Sequence, residues 1–139
     1  MGPAALDLRR RHDLLVVKAS YMQFEAPTAL LGAEELRLGL HGGQAETAMM
    51  MHLHPERVRT DRLAHFESVS EGAPADAVLG PEGQAPWAWL ARDLNTQGVV
   101  GRADRATEHL GQRLVDFYAG KIARVLIETA TTCLPSWTD

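Results

Sequence analysis

Apolar residues three and four positions apart dominate the last third of the chain. Leu110, Leu114, Phe117, Lys121 and Val125 follow that spacing, with Ile122 three before Val125, and Ala106, Tyr118, Leu126 and Ile127 widen the same stripe. A period near 3.6 predicts an amphipathic helix from Asp104 or a nearby residue to about Ala130. Gly111 and Gly120 fall inside it. Each costs a helix roughly 1 kcal/mol relative to alanine, so both predict points of close packing. Pro135 predicts the stop, with 133–139 as a loose tail.

A different pattern governs the start. Leu14, Leu15, Val16 and Val17 form an unbroken apolar run after Asp13. A run of that length predicts a strand buried on both faces, as in a parallel α/β sheet. Before it, residues 4–11 predict a short helix whose arginines sit at the favourable C-terminal end of the dipole. Pro27 and Gly32 bracket a loop, and a short helix is predicted around Ala33 to Leu38. Residues 56–69 have poor periodicity. Residues 70–86, rich in Gly, Pro and Ala, predict a long loop of the kind that forms site loops or subunit arms. Trp87 and Trp89 follow it directly. In an extended segment they would point to opposite sides, one inward and one toward a pocket or partner. Residues 90–102 predict a turn-rich connector.

Candidate chemistry concentrates in Gly39 to Leu53, GLHGGQAETAMMMHL. Gly42 and Gly43 let the backbone turn sharply or lie against a ligand. The run behind them has high helix propensity, so Glu46 falls in a first helical turn, where the dipole favours a carboxylate. An imidazole such as that of His41 can take and give a proton near neutral pH, and a nearby carboxylate can orient it. The bland alternative has His41 capping or packing a turn and Glu46 serving the helix alone. His52 and His54, two apart, do not share a helix face and match no zinc motif. Met49, Met50 and Met51 read as packing residues.

Composition narrows the classes. The 139 residues fit one modest domain, here 1–132 plus the tail. A net charge of −4 argues against a nucleic-acid or anionic-membrane partner. One cysteine, Cys133, makes no internal disulfide. No signal-peptide pattern or membrane-length apolar run occurs, which suggests a cytoplasmic protein.

Three segments in order resemble one family. HGGQAETAMMMHLHPERVR (41–59) is similar to the signature of the creatininase family, the creatinine amidohydrolases and their relatives. DLNTQGVVGRADRATEHLGQRL (93–114) resembles its glycine turn and following helix, and DLRRRHDLLVVKASY (7–21) its helix-to-strand step. The resemblance implies an α/β, three-layer fold with a central sheet and flanking helices. It implies metal-dependent hydrolysis of C–N bonds in cyclic or linear amides, by homo-oligomers that are often hexamers. His41 matches the family's proton-transfer histidine and Glu46 its active-site glutamate. Gly42, Gly43, Trp87 and Trp89 are expected to face substrate or an interface. Zinc, manganese or iron is expected for the complete family site, while no metal ligand is assigned within this chain. Family ligands lie in an upstream Glu-x-His segment and a later Asp, and such a segment does not precede Arg9. The expectation is therefore a C-terminal part only, a partial domain lacking the N-terminal half and inactive alone. Given that half, it would act on a small amide. Two further readings are a non-enzymatic assembly or ligand-binding relative, and a small hydrolase with a site rebuilt from His41, Glu46, His52, His54 and Asp93.

Overall fold

The computed structural model describes residues 2–25, 27–74, 76–82 and 84–134. It resolves into two compact units, one of Met1–Glu25 with Phe117–Asp139 and one of Ala26–Asp116.

In the first unit, α1 (Pro3–His12) begins with a proline at its first position, where a missing N–H costs nothing. It ends at Asp13, whose backbone is left-handed at φ 52°. Arg9 donates to the Asp13 carbonyl at 2.9 Å, closing that end. The apolar run that follows is not a strand. Leu14 and Val17 are about half exposed, and no described residue pairs with the run. A strand of a buried parallel sheet needs hydrogen-bonded neighbours, and none of the described strands pairs with this run. The unit's contacts are aromatic instead. Tyr21 meets Tyr118 edge-on at 5.1 Å between ring centres, and Lys121 reaches Glu25 at 3.3 Å. Burial pushes the Tyr118 hydroxyl above its ordinary pKa.

The second unit holds the core. Leu31, Leu38, Ala48, Leu94, Val100, Ala103, Ala106 and Leu114 are the buried apolar side chains among the described residues, and all lie within it. Its helices are α2 (Ala33–Leu38), α3 (Gln44–Leu53), α4 (Ala91–Leu94) and the start of α5 (Glu108–Thr131). The expected helix 33–38 and the helix behind the double glycine are both present. α3 stops at His54, ahead of Pro55, which opens a single 3-10 turn. The strands are β1 (His65–Phe66), β2 (Leu79–Gly80), β3 (Ala85–Pro86) and β4 (Gly101–Arg102). β1 pairs antiparallel with β4, placing His65 opposite Arg102 and Phe66 opposite Gly101. β2 pairs parallel with β3 inside the long 70–86 loop. α4 and β4 structure the segment expected to be only a connector.

The long final helix starts later than Asp104. Residues Ala103–Arg105 form a 3-10 turn first, and Thr107 Oγ1 then accepts the Leu110 N–H at 3.1 Å. Pro135 and most of the expected tail lie outside the described residues. The two helix glycines separate sharply. Gly111 is buried, and a Cβ there would collide with the Ala48 carbonyl of α3. Gly120 faces open space. Gly111→Ala should therefore destabilise the fold by roughly 1–3 kcal/mol through overpacking. Gly120→Ala should stabilise it by roughly 0.5–1 kcal/mol. Denaturant unfolding of the two variants should move in opposite directions.

Candidate active site

The His41–Gly43 turn is fixed from several sides. The Val100 N–H donates to the His41 carbonyl at 2.7 Å, forming an isolated antiparallel bridge. Thr47 Oγ1 donates to the Gly42 carbonyl at 2.9 Å. The Gly42 N–H donates to Glu46 Oε2 at 2.5 Å. Glu46 stands third in α3 and reaches back over the helix start, where free N–H groups and the dipole both favour a carboxylate. Gly42 has φ 66°, and a Cβ would lie 3.2 Å from Val99 Cγ1. The turn thus needs glycine at that position.

A second carboxylate completes the frame, and nothing in the local pattern points to it. Glu35 is buried, at 6% exposure. Its Oε1 accepts the Gln44 N–H at 2.6 Å, and its Oε2 accepts the Arg102 N–H at 2.9 Å. Gly43, the N-cap of α3, has no side chain to offer, so Glu35 caps the helix from nine residues away. Gly39, Gly43 and Gly101 surround its carboxylate so closely that a Cβ on any of them would crowd it. Gly101 also has φ 122° and would place a Cβ 2.7 Å from Gly39 Cα. The available sequence signal is this set of glycines, two of them 58 and 62 residues upstream of the third. Such spacing has no meaning until the chain is folded.

Beside the turn lies a cavity of about 600 Å³. Gly42, Glu46, Thr47 and Met50 line it from the α3 side. Arg57, Val58, Arg59, Arg62, Leu63 and Phe66 line another side, and Gln97, Val99 and Ala103 the rest. The structure thus brings Gly42 and Glu46 to the cavity. His41 is exposed at the neighbouring position and does not line it. Gly43 is buried against Glu35. Trp89 is partly buried and donates its indole N–H to the Pro81 carbonyl at 3.0 Å. Trp87 is 43% exposed.

Arg102 and Asp104 form a tight pair at the end of β4, with contacts of 2.9 and 2.7 Å. The hydrogen bonds from Arg102 hold the Asp104 carboxyl below the usual aspartate range and raise the guanidinium in turn. A depressed carboxyl pKa stabilises the folded state at neutral pH, and that contribution disappears as pH falls through the lowered value. Asp104→Asn should therefore flatten acid unfolding below roughly pH 4, as followed by circular dichroism. The effect should be small, because the pair is partly exposed and screened.

The metal expectation meets a donor set that does not suit it. Among the described residues no three His, Cys, Asp or Glu side chains gather to hold an ion. Glu35 directs both oxygens at backbone N–H groups. Asp93 accepts the Leu90 N–H at 2.8 Å at the start of α4, and His54 faces Glu56 at 3.3 Å. The rebuilt site of His41, Glu46, His52, His54 and Asp93 therefore does not assemble as a metal centre.

A histidine-bearing glycine turn is thus clamped to a helix start within an α/β scaffold. The creatininase family model, described as creatinine amidohydrolase, matches residues 1–126, and the chain belongs to that family. It is also similar to the crystal structure of a "Putative creatinine amidohydrolase" from Bacteroides fragilis NCTC 9343, with 26% identity and a TM-score of 0.69. That similarity covers 94% of this chain and 49% of the other, so this chain spans about half the length of its solved relative. No curated protein matches significantly.

These matches correct the expectation of a C-terminal part only. The family match begins at the first residue and takes in α1, the 14–17 run and α2 as well as the signature. The α/β, creatininase-like fold stands, and the partial-domain description does not. The truncated and incomplete descriptions are corrected with it, because the match takes in residues 1–126 and 94% of this chain and is not confined to one part of it. Those descriptions rest on one short motif, the Glu-x-His segment, whereas the matched residues run from α1 into α5.

Proposed function

We propose that the chain is an amide hydrolase of the creatininase type, cleaving a C–N bond in a small cyclic or linear amide. The observation that carries this reading is the clamp on the His41 turn: Glu46 holds the Gly42 N–H, Thr47 the Gly42 carbonyl, and Val100 the His41 carbonyl. Three groups fix a turn whose one reactive side chain, His41, is left exposed. The bonds hold the backbone that carries the exposed His41 side chain.

In this reading His41 handles the proton. A neutral imidazole takes a proton from the attacking water as the C–O bond forms, and returns it to nitrogen as the C–N bond breaks. Glu46 is a positioning residue, because it fixes the backbone that presents His41. Gly42 gives the substrate close access to that backbone. Gly43, Trp87 and Trp89 are assigned to the support and rim of the site. The zinc, manganese or iron of the family is proposed for the working protein, without ligands assigned here. No described helix is long and apolar enough to cross a membrane. Exposed Ile122, Leu126 and Ile127 on α5 support self-association into a homo-oligomer.

The test is amine or ammonia release from a panel of cyclic and linear amides, with and without added zinc, manganese or iron. Saturable turnover of at least one amide is expected. No turnover of any panel member under any metal condition would defeat the proposal.

A further inference from the structure

The cavity beside α3 carries a charge imbalance that amide hydrolysis alone does not use. Arg57, Arg59 and Arg62 line it, with Glu46 as the single lining carboxylate, in a chain whose net charge is −4. Glu46 is directed at the Gly42 N–H. The arginines are not firmly committed elsewhere. Arg57 lies 3.8 Å from Glu56 and Arg62 lies 3.9 Å from Asp61, both beyond hydrogen-bonding distance. Arg59 makes no ion pair among the described residues. Arg102 and Arg124 behave differently, closing on their own carboxylates at 2.7 and 2.6 Å. Val58, Leu63 and Phe66 give the wall apolar surface between and beside the arginines, with the polar Thr47 and Gln97 elsewhere in the lining. A volume of about 600 Å³ suits a small organic molecule.

We propose that this cavity binds a small organic carboxylate with an apolar body, its anionic group held by the Arg57, Arg59 and Arg62 guanidinium groups. The planar guanidinium matches a carboxylate with two parallel hydrogen bonds. Leucine, valine and phenylalanine side chains then bury the rest of the ligand. For catalysis the inference rests on the amide-hydrolase reading: anchoring at the arginines would lay the amide of such a molecule toward Gly42 and Glu46. Binding itself does not depend on that reading.

The experiment compares hippurate, an aromatic amide bearing a carboxylate, with hippuramide, its uncharged counterpart. Each is titrated into the full chain by calorimetry, and amine release is followed in the same samples. Hippurate is expected to bind at least about tenfold more tightly than hippuramide, the worth of one charge-assisted hydrogen bond. Arg59→Gln should remove about that factor, Arg59→Lys should restore part of it, and raised salt should weaken binding. Arg62→Gln provides a second variant should the first fail to fold. Equal affinity for the two probes, or no binding of either, overturns the proposal. Selective hippurate binding without turnover supports the anion site while counting against the hydrolase reading, so the two fail separately.

Discussion

His41→Gln is expected to lower kcat/KM for amide cleavage by about 10²–10⁴-fold, the usual contribution of a positioned acid–base group. The thermal midpoint should barely move, because the ring is exposed and surface substitutions away from packing or caps are nearly neutral. The turn survives because its bonds run through the His41 carbonyl and the Gly42 backbone, which glutamine leaves in place. Glu46→Gln provides the contrast. It keeps a carbonyl oxygen for the Gly42 N–H and loses the charge at the helix start, so it should cost both activity and a few tenths of a kcal/mol or more in stability. Equal turnover by His41→Gln and the parent protein would remove His41 from the chemistry.

Glu35→Ala is expected to produce the largest loss of stability, roughly 2–5 kcal/mol. It strands the Gln44 and Arg102 N–H groups, each a buried or partly buried donor worth about 1–3 kcal/mol when left without a partner. It also empties the space that Gly39, Gly43 and Gly101 keep clear. Those glycines cannot collapse onto a smaller side chain, because they have none of their own to move. Glu35→Gln should cost less, since one oxygen remains, but its amide NH₂ then faces a backbone donor. Chemical denaturation of the three proteins should rank them parent, Glu35→Gln, Glu35→Ala. A Glu35→Ala protein as stable as the parent would show that water satisfies both donors, and the glycine cluster would then need another explanation. Because the same carboxylate caps the helix that carries Glu46, Glu35→Ala should also lower activity.

Local pattern and tertiary position contributed differently to this picture. The α5 stripe, the 33–38 helix and the helix after the double glycine follow from residues within one or two turns of each other. Periodicity and propensity suffice there, since the relevant forces act over a few residues. Glu46 was legible for the same reason, being a carboxylate in the first turn of a predictable helix. The 14–17 run shows the opposite case. Four apolar residues are compatible with a buried strand, but a strand exists only where another strand offers its hydrogen bonds, and that partner is not written in the run itself. Gly111 and Gly120 were indistinguishable in sequence, and only the passage of α3 beside one of them separates a packing glycine from a free one.

By itself the sequence determined family membership, the order of the helices and the placement of His41 and Glu46 on one loop–helix junction. These are properties of contiguous residues, whose geometry the backbone imposes directly. Only the tertiary structure decided that Glu35 caps α3 across nine residues and ties it to β4, and that the 57–62 segment with its three arginines faces Glu46, Gln97 and Val99 across one cavity. Both depend on segments meeting after distant parts of the chain have packed. A carboxylate's partners and a pocket's charge are set by what arrives beside them, which no local pattern records.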